Sequence, residues 1–353
     1  MTSEPMPVAT TAEHLTLVLR QAGVLGDNSV SSVVVESSRN MVLSQIRRLR
    51  LSYQVACDAP ETFILKTELP ERAGQGPNAG RHEVEFYTHV AAAMAAPLVP
   101  GCFEASWASD TKAWHLLLED LSDSHVIATR WPLPPTIAQC QSIVRALANF
   151  QAIWWNDPRL GASIGSQPDS GEIDRQVQRL AERFAKFADF MGDRLPQERV
   201  RLFEQWLDAG SLLLARAFNG PNRTIIHGDA HVWNCFLPRD EGSNDVRLFD
   251  WDSWRIGTGA IDLAYMMAVH WYPDLRHGRE QLLLDHYHAA LVEHGVGGYD
   301  RHALQTDYRM SVLWQVMTPV MQQAYGIPPV IWWNNLERIL LAVDDLKCRD
   351  FLG

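Results

Sequence analysis

Residues 224–237 read TIIHGDAHVWNCFL, and residues 246–267 read VRLFDWDSWRIGTGAIDLAYMM. Each segment opens with a short apolar run of strand character that leads into polar residues. The first run delivers His227, Gly228 and Asp229, then His231 and Asn234; the second reaches Asp250, and a third carboxylate, Asp262, follows in IDLAYMM. Two short strands flanking a polar loop are expected to bring Asp229, Asn234 and Asp250 together at one end of a hairpin.

Phosphoryl transfer needs such a set. The attacking hydroxyl requires a carboxylate that orients it and takes its proton, and the ATP phosphates require Mg²⁺ held by hard oxygen ligands. Kinase catalytic loops space their base and their metal-binding asparagine as Asp-x-x-x-x-Asn, the interval from Asp229 to Asn234. His227 and His231 with nearby carboxylates also suit zinc, as in a metal-dependent hydrolase. That reading leaves Asn234, FDWD and DLAY without a role.

Upstream, the chain reads as a small α+β region. Thr10 and Glu13 have capping-box spacing ahead of a short helix with Leu15, Val18, Leu19 and Ala22 on one face, and Gly23 at its C-terminal cap. Val33–Val35 is a strand candidate followed by a polar turn at Ser37–Asn40. Leu49, Leu51 and Tyr53 alternate with polar residues, and TFILKT (62–67) is a further strand carrying Lys66. AGQGPNAG (73–80) reads as a flexible loop, residues 81–96 as a helix with Val84, Tyr87, Ala91 and Met94 in register, and residues 102–107 and 113–119 as a hairpin. Beyond LLLEDLSDSH (116–125) helical patterns take over, at about 136–155, 171–190, 197–218, 279–294, 301–325 and 331–348. The joint falls near residues 118–124, giving a nucleotide-binding lobe over 1–120 and a helical catalytic and substrate-binding lobe over 121–353.

Composition narrows the partners. The net charge of -11 and pI near 5.6 lack the basic footprint of nucleic-acid binding. Cys57, Cys102, Cys140, Cys235 and Cys348 are scattered and odd in number, matching neither a disulfide framework nor a zinc cage. No secretory leader and no run of about 18 apolar residues is visible, so the expectation is a cytoplasmic protein without membrane contact. Oligomeric state is left open.

HGDAHVWN followed by FDWDSWRIGTGAIDLAYM resembles the aminoglycoside phosphotransferase and choline kinase superfamily, and LLLEDLS and HEVEFY resemble its ecdysteroid kinase-like branch. The resemblance spans roughly residues 30–275 and implies a two-lobed, protein-kinase-like α+β fold, with a small β-rich N-lobe and a larger, mostly helical C-lobe. It implies ATP and Mg²⁺ as cofactors and a small hydroxylated molecule as substrate. Asp229 would be the catalytic base, with His231 beside it where protein kinases have a lysine; Asn234 and Asp250 would bind the metal. Lys66 would take the α/β-phosphates, held by Glu83 rather than Glu85, since the family pattern puts the acid ahead of an aromatic pair, here Phe86-Tyr87. Residues 118–121 would contact adenine, with Glu119 and Leu121 the cofactor-binding positions. His227 and Asp262 would be structural, Asp262 accepting from backbone N–H groups of the 227–229 turn.

Two departures stand out. ESSRNMVLSQ (36–45) has no glycine where a phosphate loop is expected, leaving Ser37, Ser38 and backbone N–H groups to cap the phosphates and Arg39 to add charge. Gln151 stands where relatives usually carry histidine, a structural position. A kinase-like nucleotide-binding regulator without catalysis is the alternative reading. Among thirteen tryptophans, mostly core candidates, Trp233 and Trp254 flank the catalytic segment; Asp344 and Asp345 are candidates for attracting a cationic acceptor.

Overall fold

The alternation along TFILKT decides how the first part of the chain is built. In the computed structural model, which describes residues 8–41, 44–69, 80–240 and 242–352, Phe63 and Leu65 are fully buried on one face of strand β3 (Thr62–Glu68). They join Leu49 and Leu51 of β2 (Ser44–Tyr53) in a core covered by Leu15, Val18 and Leu19 of helix α1 (Ala12–Gln21). Burying each such side chain contributes about 1.5–3 kcal/mol. Lys66, one position out of phase, is directed to the opposite face. With β1 (Val30–Asn40), β4 (Cys102–Trp107) and β5 (Trp114–Glu119), these strands make one antiparallel sheet in the order β1-β2-β3-β5-β4.

The chain divides into two compact units, Met1–Val126 with Pro238–Asp252, and Ile127–Leu237 with Ser253–Gly353. The first holds the five-stranded sheet; the second is mostly helical. In the second, α3 (Ile137–Ile153) starts at a reciprocal Thr136–Gln139 capping box, and α4 (Ser170–Met191) at the equivalent Asp169–Glu172 pair. α5 (Gln197–Asn219) leads into the strand Arg223–Ile226, and α6 (Ala260–Ala264), α7 (Pro273–His277), α8 (Glu280–Glu293), α9 (Arg301–Trp314), α10 (Thr318–Ala324) and α11 (Pro329–Asp345) complete the unit. Trp154, Trp206, Trp254, Trp271 and Trp332 are core residues of this unit.

Several local expectations shift. The cap of α1 is Thr11, whose Oγ1 accepts the His14 N–H at 3.2 Å, because Val8–Thr10 already forms a 3₁₀ turn. Gly23, at φ 76°, closes the helix in the left-handed region. Ser37–Asn40 is not a turn: Ser37 pairs with Arg48 and Asn40 with Gln45, and the strand runs on until the Met41 N–H reaches the Ser44 carbonyl at 2.7 Å. The helix expected at 81–96 is α2 (Arg81–Glu85), a π-helical turn at Phe86–Val90 and a 3₁₀ turn at Ala91–Ala93. The pattern at 301–325 breaks into α9 and α10 because Pro319, in the first turn of α10, lacks an N–H to continue the ladder. The loop at 73–80 lies outside the described residues except Gly80.

The strand Arg223–Ile226 does not form a hairpin with the run that follows the polar loop. Its partner is Arg255–Thr258, in antiparallel register from Ile226 opposite Arg255 to Arg223 opposite Thr258. This pairing buries Ile225 and Ile256 together, so the HGD turn and the segment after FDWD are tied to each other. Asp344 and Asp345 are not a free acidic patch: Asp344 meets Arg199 at 2.7 Å, and Asp345 binds Arg276 and His277. All five cysteines are unpaired thiols. Among the described residues no helix is long and apolar enough to cross a membrane.

Thr11→Ala is expected to lower stability by about 1 kcal/mol, read as a smaller denaturant midpoint, since one helical N–H loses its acceptor. An unchanged midpoint would place the cap elsewhere.

Candidate active site

In the sheet-bearing unit, Lys66 is the centre of a buried charge cluster. Its Nζ lies 2.6 Å from Glu83 Oε2 and 2.6 Å from Asp250 Oδ1. The Lys66 and Glu83 side chains are 9% and 2% exposed, whereas Asp250 keeps 40% of its side chain open. Burial would drive Lys66 towards its neutral form, but the two carboxylates outweigh it and raise its pKa above the ordinary lysine value. The two carboxylates thus favour the charged ammonium. Glu85, two residues on, faces outward and pairs with Arg81 at 2.8 Å.

Two features aim Asp250. Its φ of 69° is a left-handed conformation that a non-glycine residue adopts only where surroundings enforce it. Next to it, Trp251 is fully buried, stacks on Phe86 at 4.1 Å and 7°, and donates its indole N–H to the Leu248 carbonyl at 3.0 Å. The Trp251 backbone N–H also bonds Glu83. Neither the stack nor its role is evident from the sequence, although an aromatic directly after Asp250 and another after Glu85 are its only local trace.

The expected nucleotide contacts fall on different kinds of position. Ser37 and Ser38 are exposed strand residues paired with Arg48 and Arg47, so they belong to the ladder rather than to a loop tip. Glu119 Oε2 accepts the Gly101 N–H at 3.0 Å and meets Arg247 at 3.3 Å. Its backbone N–H reaches Gly101 O at 2.7 Å. Leu121 is buried, with its carbonyl taken by the His125 N–H at 2.8 Å.

In the helical unit, the HGD turn is built around Asp262. Its carboxylate accepts the His227 N–H at 2.8 Å, the Gly228 N–H at 2.9 Å and the Gln151 side-chain amide at 2.8 Å. Gln151 in turn accepts from the Tyr287 hydroxyl, and its backbone carbonyl accepts from Thr224 Oγ1 at 2.6 Å. Gln151 is thus wholly buried and structural; Tyr287, at the far end of this network, carries no sequence signal. Gly228 has φ 81°, and a Cβ there would lie 2.2 Å from the Ser253 carbonyl oxygen, so only glycine fits.

This turn presents Asp229, Asn234 and His231 together. Asn234 Nδ2 donates to the Asp229 carbonyl at 3.0 Å and to Asp229 Oδ2 at 3.1 Å. The amide's donors face Asp229, which directs Oδ1 the other way, as a hard-cation ligand requires. His231 Nε2 is 3.6 Å from Asp229 Oδ2, and Asp229 is 31% exposed at its side chain. Around His231 stand Trp233, Tyr265 and His270, with ring centroids 5.5, 6.4 and 5.6 Å away. Trp233 donates to Thr129 Oγ1 at 3.2 Å, while Trp254 is core and lies under Gly165. Desolvation, reinforced by His231, pushes His270 down to about 3. It stays neutral, its Nδ1–H donated to the Tyr265 carbonyl at 2.8 Å. Among the described residues, the one group of three His, Cys, Asp or Glu donors close enough together to hold a metal does not include His227 or His231.

The fold is that of the kinase-like small-molecule phosphotransferases. Residues 39–295 match the ecdysteroid kinase-like family, and the chain belongs to it. Among solved structures it is similar to a putative aminoglycoside phosphotransferase from Ralstonia eutropha, at 16% identity and TM-score 0.56, covering 93% of this chain and 94% of that one. It is similar also to an ethanolamine kinase of Plasmodium vivax, at 10% identity and TM-score 0.53, covering 97% and 91%. An amicoumacin kinase in complex with AMP-PNP and Ca²⁺ gives 13% identity and TM-score 0.52, covering 93% and 92%. No curated protein matches the sequence.

Two outcomes follow from this geometry. Asp262→Ala orphans the buried His227 N–H, the half-buried Gly228 N–H and the buried Gln151 amide, and is expected to cost about 2–5 kcal/mol in denaturant unfolding; a cost below 1 kcal/mol, roughly one hydrogen bond, would show the turn holds without it. His270 has a depressed folded pKa, so its contribution to stability is full above about pH 6.5 and is lost as pH falls towards about 3. In an NMR titration its ring should remain neutral through pH 5; a midpoint near 6.5 would contradict the assignment.

Proposed function

We propose that this protein transfers the γ-phosphoryl group of ATP to a hydroxyl of a small molecule, with Mg²⁺. The observation that carries the reading is the buried, doubly paired Lys66, a fixed positive charge beside a half-open carboxylate, in a chain of the ecdysteroid kinase-like family. Lys66 binds the α/β-phosphates, and Glu83 holds its ammonium in place. The backbone of residues 118–121, at Glu119 and Leu121, takes adenine, and Ser37 and Ser38 flank the phosphates from β1. Asp250 and Asn234 are the oxygen ligands for Mg²⁺, which when bound neutralises charge on the phosphates. Nucleotide and divalent cation in the amicoumacin kinase complex support this choice of cofactors.

Asp229 orients the acceptor hydroxyl and takes its proton at a carboxylate oxygen. Its Oδ2 is fixed by Asn234 Nδ2, so the base is positioned before the acceptor arrives. His231 adds a polar imidazole beside it, and Trp233, Tyr265 and His270 give the surroundings aromatic faces suited to an acceptor with an apolar or cationic portion. The acceptor class is a hydroxylated small molecule such as an aminoglycoside, amino alcohol or sterol. The glycine-free, strand-paired Ser37–Ser38 segment favours a second reading, a nucleotide-binding regulator without turnover.

The test is an ATP-consumption screen over aminoglycosides, amino alcohols, nucleosides, sugars and sterols, with mass-spectrometric detection of one added phosphate. Against the acceptor it finds, Asp229→Ala should lower kcat by about 10²–10⁴-fold while ATP binding survives. Asp250→Ala should lose Mg²⁺-dependent nucleotide binding as well. Wild-type turnover in Asp229→Ala would remove the assignment of the base. Mg²⁺-dependent ATP binding with no acceptor and no slow ATP hydrolysis would favour the regulator.

A further inference from the structure

Apart from the proposed nucleotide chemistry, the sheet-bearing unit gathers three donor atoms from three separate elements. His14 on α1, Glu104 on β4 and His115 on β5 lie with their ligand atoms within 4.8 Å of one another, the one such trio among the described residues. His14 Nε2 is 2.8 Å and His115 Nε2 is 2.7 Å from the same oxygen, Glu104 Oε2. The two imidazoles meet edge to face at 5.9 Å. Side-chain exposures of 25%, 22% and 18% leave the cluster partly shielded yet reachable from solvent.

The backbone prepares this convergence. Glu104 is opposite Leu117 and His115 opposite Ser106, so Glu104 and His115 are diagonal neighbours on one face of the β4–β5 pair. The ladder shifts register between Cys102 and Glu104, and an extra residue at such a point re-aims the side chain that follows. β4 is the edge strand of the sheet, and α1 brings His14 to it. Burial would raise the Glu104 carboxyl, but the hydrogen bonds from both imidazoles hold it below its ordinary value, as an anion.

We propose that His14, Glu104 and His115 form a site for a borderline divalent transition metal, Zn²⁺ or a congener such as Co²⁺, that fastens α1 to the edge of the sheet. Two imidazole nitrogens and one carboxylate oxygen are the donors such ions take, whereas Mg²⁺ and Ca²⁺ call for oxygen-rich shells. Zinc bonds of about 2.0–2.2 Å in a tetrahedron set neighbouring ligand atoms about 3.3–3.5 Å apart. The present nitrogen–oxygen separations of 2.7 and 2.8 Å therefore need to open by less than an ångström. Each ring must bring its Nε2 lone pair to the ion and carry its proton on Nδ1 instead. Water fills the fourth position. This site is separate from the proposed Mg²⁺ ligands Asp250 and Asn234 and does not depend on the phosphotransferase reading.

The experiment uses the full chain, stripped with a chelator and titrated with Zn²⁺ alone by calorimetry, then with Co²⁺ in the visible spectrum. One equivalent should bind, the thermal midpoint should rise, and Co²⁺ should give four- or five-coordinate d–d absorption with paramagnetically shifted signals from two imidazoles. His14→Gln and His115→Gln should each weaken Zn²⁺ by at least the roughly 10–100-fold that losing even a supporting residue costs. Either variant tests the trio if the other fails to fold, and the wild-type Co²⁺ spectrum tests it without any variant. Absence of Zn²⁺ and Co²⁺ binding, or binding that both variants leave unchanged, overturns the proposal and leaves the trio a hydrogen-bonded clasp.

Discussion

An ammonium group buried between two carboxylates is the constraint around which the sheet-bearing unit is organised. Isolating Lys66 from water would be costly if it stood alone, and removing either partner would strand the remaining charge. Its position on β3 follows from strand periodicity: Phe63 and Leu65 occupy the face under α1, so Lys66 must occupy the other. Glu83 is on that side because α2 packs there, and Asp250 is returned to the same unit by the segment Pro238–Asp252. The Phe86–Trp251 stack locks the two carboxylate-bearing segments together, and the π-helical turn beginning at Phe86 accommodates that ring within the helix. A left-handed Asp250 is a local backbone cost that this packing offsets.

The helical unit solves a different problem, holding a polar turn rigid without regular secondary structure. Asp262 satisfies two backbone N–H groups of the turn, and Gln151 and Tyr287 satisfy Asp262 in sequence. His227, Asp262, Gln151 and Tyr287 are all buried, so each hydrogen bond lost among them is expensive and the network behaves as a unit. A glutamine serves at position 151 because its amide offers a donor to Asp262 and an acceptor to Tyr287 at once. The result is an Asp229 whose carboxylate is held by the Asn234 amide, in keeping with the base role proposed for it.

The parts legible in the sequence were those governed by short-range periodicity and by motif. Leu49 and Leu51 follow from alternation, and the TFILKT strand and the hairpin of β4 and β5 from their apolar runs and the turn between them. Glu83 and Glu85 differ in sequence only by their distance from Phe86-Tyr87; folding puts Glu83 on Lys66 and Glu85 on Arg81. Long-range pairing was not legible. Nothing in TIIHGD announces that Arg255–Thr258, rather than the next apolar run, completes its ladder, and polarity at Ser37–Asn40 resembles a turn although both neighbours are strand. The His14–Glu104–His115 trio is further from local reading still, since its members come from one helix and two strands brought together only by the sheet.

The central claim is that Glu83 keeps the Lys66 charge fixed for a triphosphate. Calorimetric titration of ATP with Mg²⁺ into wild type and Glu83→Gln measures it most directly, with folding of the variant checked by its thermal midpoint. The account predicts at least tenfold weaker binding in the variant, about 1.4 kcal/mol, with the Mg²⁺ requirement intact in wild type. Equal affinity in a folded Glu83→Gln protein, or no binding of ATP to wild type, would contradict it.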